Sequence, residues 1–166
     1  MSLLVRNTEL WQTAATKEFG MISQKSKYAL RALLALAGAP GGEPMQISEI
    51  AAQEVIPRKF LEQILLDLKR QGLVVSRRGK AGGYLLLRRP EMITFGEVLR
   101  LIDGPLAPLP CLSKMAYRRC GDCASEQACK LRKVFAEVAD ATRAILDTTT
   151  LADAMGDAAK KLPVEL

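Results

Sequence analysis

The chain has 166 residues, of which 49% are hydrophobic and 25% charged, enough apolar content to bury a core in one domain or two small ones. Histidine is absent and aromatics make up only 5%, which excludes a histidine-based triad, a His-ligated zinc enzyme and a histidine pH switch, and predicts an α-rich fold with an aliphatic core. The net charge of +6 is unevenly spread: residues 1–20 balance, residues 21–90 hold twelve basic against five acidic side chains, and residues 91–166 hold ten against eleven. A basic first module joined to a near-neutral second one is the pattern of a polyanion reader with a separate regulatory or assembly part.

Residues 1–20 carry a faint helical pattern (Leu10, Trp11, Ala14, Ala15, Phe19) and read equally as a native extension or as a segment preceding a start at Met21. No apolar run reaches the roughly 18 residues of a membrane span or the core of a signal peptide, so the expected location is the cytoplasm, away from any membrane. From Ser26, the spacing of Tyr28, Ala29, Ala32, Leu33 and Leu36 predicts a first helix, ended by Gly38, Pro40, Gly41 and Gly42. A short second helix is expected over Ser48 to Glu54, with Ser48 as its N-cap. Pro57 then suits the first position of a third helix, since its missing N–H has no intrahelical partner there. That helix should bury Phe60, Leu61, Ile64, Leu65 and Leu68 and expose Arg58, Lys59, Glu62, Gln63, Lys69 and Arg70.

Two short helices with a tight connection form either a helix-turn-helix or an ordinary helical hairpin. The next residues decide. Gly72 to Ser76 reads as a strand, Arg77-Arg78-Gly79-Lys80-Ala81-Gly82-Gly83 as a basic glycine-rich turn, and Tyr84 to Leu87 as the returning strand, together a β-wing. Arg77, Arg78 and Lys80 supply phosphate attraction, while Gly79, Gly82 and Gly83 allow close backbone approach to a groove. A nucleotide cradle is a poor alternative, because no G-K-[ST] follows and the turn leads into a strand where a P-loop leads into a helix.

Thr94 to Ile102 is expected to be a helix opened by a Thr94/Glu97 capping box and closed at Asp103-Gly104-Pro105. After a proline-rich loop, Leu131, Val134, Phe135, Val138, Ala141 and Ile145 mark a long helix over Cys129 to Thr148. So long an apolar stripe is better buried against a twin helix than on its own winged domain. Leu151, Ala152 and Met155 suggest a last short helix. The fold class is therefore mainly α with a small β-wing: an extension (1–20), a winged helix-turn-helix domain (21–90), a linker helix with a cysteine loop (91–128), and a dimerisation helix with its tail (129–166).

All four cysteines lie ahead of the long helix, at Cys111, Cys120, Cys123 and Cys129, with the spacing C-x8-C-x2-C-x5-C. Four thiols within nineteen residues of one Gly- and Pro-containing loop converge more readily on one centre than scattered buried cysteines would. Soft thiolates select iron–sulfur clusters, zinc or copper(I), and stable disulfides are uncommon in the cytoplasm, which leaves a thiol redox switch as the remaining alternative. Spacing alone does not separate zinc from iron–sulfur.

The chain resembles the IscR, NsrR, RirA and CymR family of bacterial winged helix-turn-helix transcription regulators over residues 22 to about 155. The resemblance rests on Tyr28-Ala29-Leu30, Ile56-Pro57-Arg58-Lys59-Phe60-Leu61-Glu62-Gln63, Gly72-Leu73-Val74, Ser76-Arg77-Arg78-Gly79 with Gly82-Gly83-Tyr84, and Ile93-Thr94-Phe95-Gly96-Glu97-Val98. It implies a homodimer on a pseudo-palindromic double-stranded DNA operator, with Arg58, Lys59 and Glu62 toward the major groove and Arg78 with the glycine turn at the minor groove. The position matching Glu62 is implied to help select the operator class. It further implies a 2Fe-2S cluster held by Cys111, Cys123 and Cys129. The sequence departs from the family at the fourth ligand, where Arg132 replaces a histidine in one branch and a position near Lys27 replaces an acidic residue in another. Cys120 is expected to fill that place, with Asp122 or Glu126 as substitutes, giving an all-thiolate site of lower reduction potential. The function expected is a non-enzymatic DNA-binding regulator sensing iron, redox state or nitric oxide. The alternative is a cluster-free regulator of the same fold that answers to zinc, thiol oxidation or a partner protein.

Overall fold

The structure, a computed structural model, describes residues 22–156; the faint helical pattern of residues 1–20 and the tail from 157 lie outside it. Six helices and a two-stranded sheet are present among the described residues: α1 (Gln24–Ala37), α2 (Ile47–Gln53), α3 (Arg58–Arg70), β1 (Val74–Arg77), β2 (Gly83–Leu86), α4 (Phe95–Asp103), α5 (Lys130–Leu146) and α6 (Leu151–Met155). The mainly helical class with one small wing is as expected.

Local chemistry sets the boundaries, and in three places it differs from the expectation. Helix α2 is capped by Gln46, not Ser48: the Gln46 side chain accepts from the Glu49 amide and the Glu49 carboxylate accepts from the Gln46 N–H at 2.7 Å, a complete capping box two residues earlier. Pro57 is the N-cap of α3 and not its first helical residue, because its ψ of 123° is still extended. Thr94 caps α4 through the Glu97 amide, but the reciprocal half of that box is missing. The Glu97 carboxylate instead forms a two-toothed pair with Arg88 at 2.6 and 3.0 Å, which pins the segment after the wing to α4.

Helix α3 ends in a Schellman turn. Gly72 has φ +72°, its amide donates to Lys69, and Leu73 donates back to Leu68, so the chain reverses into β1 while both leucines stay fully buried. Strands β1 and β2 pair antiparallel from Val74 opposite Leu86 to Arg77 opposite Gly83. Arg77 thus belongs to the strand, leaving a shorter turn than the sequence suggested.

The core gathers Leu33 of α1, Ile50 of α2, Leu61, Ile64, Leu65 and Leu68 of α3, Ile93, Leu99 of α4 and Leu151 of α6. Phe60 is the exception among the predicted α3 core residues. It is 38% exposed and meets Tyr28 edge-on at 5.7 Å between ring centroids. Polar ties fasten the start and middle of α1: Lys25 to Asp67 of α3 at 2.7 Å, Arg31 to Glu54 at the C-cap of α2, and Ser23 to Asp103 at the end of α4.

Helix α5 behaves differently. Its C-terminal end is clasped by α4 and the segment leading to α6, where Phe95 donates to Thr149, Leu151 donates to Ile93, and Arg100 pairs with Asp147 at 2.6 Å. Along its length only Ala139 is buried, while Leu131 (65% exposed), Val134 (62%) and Val138 (45%) face outward.

Candidate nucleic-acid interface and cysteine site

The basic residues singled out in α3 lie in its first two turns. Arg58 and Glu62 form an i,i+4 ion pair at 3.4 Å, both well exposed, and Gln63 donates to Asp67 at 3.2 Å. Lys59 has no acidic partner among the described residues, and neither do Arg77, Arg78 and Lys80 of the wing. All four are exposed. Unpaired surface cations cost nothing to desolvate against an acid and remain available to a polyanion.

Two links hold wing and helices in one body. Lys69, at the end of α3, donates to the Ser76 hydroxyl of β1 at 2.7 Å. Met45, just before α2, forms an antiparallel bridge with Tyr84 through hydrogen bonds of 2.9 and 2.8 Å, and the adjacent Gln46 side chain reaches the Lys80 carbonyl at 3.5 Å. The wing is therefore anchored to the cap of α2, which in turn packs on α3.

These links give the wing glycines an intramolecular reason that the sequence did not reveal. A Cβ on Gly83 would lie 2.6 Å from the Met45 carbonyl carbon, and one on Gly82 would lie 2.9 Å from Arg78 C and Gly79 O. Gly79 alone is open, with nothing within 4 Å and φ +108°. Close packing within the chain thus requires Gly82 and Gly83, and only Gly79 is free to serve an approaching surface.

The turn between α2 and α3 holds a further unanticipated feature. Val55 has φ +51° and is 77% exposed, a conformation that β-branched residues rarely adopt.

The cysteine segment starts at a 3-10 turn, Pro110–Leu112, that packs on α5, and ends at Cys129, the N-cap of α5. Cys129 Sγ accepts from the Arg132 amide at 3.4 Å, so the predicted first residue of the long helix is its cap. Cys111 is buried; Cys120, Cys123 and Cys129 are half-buried, and all four are free thiols. Burial, then the neighbouring Cys111, then Asp122 and Cys123, push the Cys120 thiol up from its ordinary value. The Cys123 amide donates to the Cys120 carbonyl at 3.2 Å, but among the described residues no three Cys, Asp or Glu side chains converge into a ready-made metal site.

The other candidates are accounted for. Glu126 is taken up by the Tyr117 hydroxyl and by Arg132 at 3.5 Å, and Arg119 clamps the loop by donating to the Cys123 and Ala124 carbonyls at 2.8 and 3.1 Å. Asp122 and Lys27 are exposed. No helix among the described residues is long and apolar enough to cross a membrane.

Comparison with known proteins agrees with this architecture. The sequence profile of the Rrf2 family, described as iron-dependent transcriptional regulators, matches residues 22–157. An rrf2-like HTH-type transcriptional regulator of Rhodobacter capsulatus is 51% identical over 147 residues, covering 86% of this chain and 98% of the relative. Among solved structures, CymR (YrzC), the global cysteine regulator of B. subtilis, superposes with a TM-score of 0.68 at 32% identity over 81% of this chain and 95% of that one. IscR of T. potens superposes with a TM-score of 0.65 at 29% identity, over 82% and 87% respectively.

Proposed function

This chain belongs to the Rrf2 family of transcriptional regulators, and from that premise we propose that it acts in the cytoplasm as a homodimer that reads a pseudo-palindromic operator and senses iron, redox state or nitric oxide through a 2Fe-2S cluster on its cysteine segment. One observation carries the DNA half: Lys59, Arg77, Arg78 and Lys80 stand exposed and without acidic partners among the described residues, on a helix and wing pinned into one body. In this reading Arg58, Lys59, Glu62 and Gln63 address the major groove, where their donors and acceptors meet base edges and phosphates. Arg78, Lys80 and the open Gly79 address the adjacent minor groove, with Gly82 and Gly83 holding that turn in shape.

Dimerisation is supported by α5. Its outward stripe of Leu131, Val134, Phe135 and Val138 leaves apolar area in water that a twin helix removes, at roughly 25 cal/mol per Å². The donor set fits a cluster chemically: four thiols in one segment, with no histidine to compete. Cys111, Cys123 and Cys129 with Cys120 would hold the cluster, which when bound supplies a centre reactive toward oxidants and nitric oxide. The chain's own part is mechanical. Tying Cys111 and Cys120 to the cap of α5 fixes where that helix starts, and releasing them shifts the population of dimers whose winged domains match the operator spacing.

A second reading has its own support in the four free thiols of one segment: a cluster-free regulator answering to thiol oxidation, zinc or a partner protein. Anaerobic purification with a visible absorption spectrum and iron, sulfide and zinc assays separates the two. Iron and sulfide in equal amounts, reduced by Cys120→Ala, support the cluster; a colourless protein with stoichiometric zinc or no metal overturns it. For DNA, fluorescence anisotropy on the region upstream of its own gene across a salt series should give a log–log slope that falls by about 1 for each of Lys59→Ala and Arg78→Ala. Unchanged slopes would remove these residues from the interface.

A further inference from the structure

The surfaces assigned so far leave a half-open pocket beside the cysteine segment unused. A cavity of about 180 Å³ lies between α4, the start of the cysteine segment and the C-terminal half of α5. Its apolar wall includes Leu106, Leu112 and Met115, and its polar groups are Arg100, Lys114 and Arg143 against the single carboxylate of Asp147. This is the composition of a small-molecule site: a mostly apolar lining with a few convergent charges.

The charges do not balance. Arg100 is paired with Asp147 at 2.6 Å, and Arg143 pairs with Asp140, one turn away on α5. Lys114 has no acidic partner among the described residues. Asp140 is outside the lining but answers Arg143, so three cations face two carboxylates and one positive charge, on Lys114, is left over. A neutral or cationic guest would leave that excess unanswered, whereas a monoanion placed between Lys114 and Arg143 would receive charge-assisted hydrogen bonds from both. The volume equals that of roughly six liquid waters, which matches a carboxylate with a short aliphatic body.

We infer that this cavity is an effector site for a small aliphatic carboxylate. The inference goes beyond the cysteine chemistry and does not depend on it, although the location joins the two. Lys114 lies three residues after Cys111, and Arg143 and Asp147 belong to the end of α5 that α4 clasps. A guest drawing Lys114 toward Arg143 therefore pulls the cysteine segment onto α5 whether or not the thiols carry a metal.

The test uses the full chain with methyl-labelled methionine and three probes of equal size: butyrate, butyramide and butylamine. Butyrate should shift the Met115 methyl resonance saturably while Met45, Met92 and Met155, which do not line the cavity, stay unmoved. Affinity for butyrate should exceed that for either other probe at least tenfold, and Lys114→Gln with Arg143→Gln should abolish the shift. Lys114 is exposed and unpaired, so Lys114→Gln alone keeps the fold and should still weaken butyrate several-fold. Equal binding of butyramide, an unmoved Met115 at saturating butyrate, or a shift that survives the double substitution would each overturn the assignment. The outcome is independent of the spectrum and metal content that decide the cysteine reading.

Discussion

Replacing Gly83 with alanine tests whether the wing's glycines serve internal packing. The new methyl would lie 2.6 Å from the Met45 carbonyl carbon and 3.1 Å from the Gln46 nitrogen, both backbone atoms that no rotamer change can move. The least costly relief is to open the Met45–Tyr84 bridge, losing hydrogen bonds of 2.9 and 2.8 Å worth about 1 kcal/mol each. The φ of +154° stays imposed by the pairing of Gly83 with Arg77 and adds roughly 1–3 kcal/mol for a residue with a side chain. The total is about 3–5 kcal/mol, or a Tm lower by roughly 10 °C for a chain of this size. Gly79→Ala is the matched control, since it meets nothing within 4 Å and carries only the backbone cost of φ +108°, about 1–2 kcal/mol. Urea denaturation at one fixed protein concentration measures both, with unchanged slopes required for the comparison. Gly79→Ala should lose operator affinity out of proportion to its stability, while Gly83→Ala should lose stability first. If the two variants unfold within about 0.5 kcal/mol of each other, the packing argument fails.

Three further outcomes follow from other parts of the fold. Burial raises the Asp103 carboxyl, but the Ser23 hydroxyl and amide, Ser26 and Lys25 together bring it below the ordinary aspartate value. A depressed folded pKa gives stability that is present above the unfolded value of about 3.9 and is lost as pH falls through the folded one. Asp103→Asn should therefore lower Tm at pH 7, by an amount equivalent to about 1 kcal/mol, and cost progressively less in scans toward acid; an equal loss at every pH would contradict this. Val55→Asn should raise Tm, because asparagine tolerates φ +51° at roughly 1 kcal/mol less than a β-branched side chain, and a lower Tm would count against strain there. Val134→Asp with Val138→Asp should turn dimers into folded monomers by light scattering, with far-ultraviolet dichroism retained; a persisting dimer would place the partner contact elsewhere.

Periodicity and capping chemistry made the helices and the wing legible, because Leu33, Leu61, Ile64, Leu65 and Leu68 repeat at helical spacing and do bury. Helix starts were less so. Ser48 is a better intrinsic cap than Gln46, yet Gln46 wins because Glu49 answers it and the preceding Met45 is held by Tyr84, thirty-nine residues on. Glu97 was similarly diverted from its capping box by Arg88, a tertiary competitor that spacing does not disclose. Phe60 shares the apolar repeat of Leu61, Ile64, Leu65 and Leu68, but it is 38% exposed and meets only the edge of that core through the Tyr28 ring. At the cysteine segment, clustering in sequence is visible, whereas the clamp of Arg119 on the Cys123 and Ala124 carbonyls depends on how the loop folds.

The clasp on α5 has a mechanical consequence. Gly96 in the first turn of α4 lets the α5 backbone pass so near that a Cβ would be 3.1 Å from the Leu146 carbonyl carbon, which fixes that end as a fulcrum. The seventeen-residue helix then reaches about 25 Å to its other end, where Cys129 sits. On an arm of that length, a 1 Å displacement at the sulfur end amounts to a tilt of only about 2°. In the proposed dimer, the same small angle carried by a whole winged domain would move its reading head by a comparable distance.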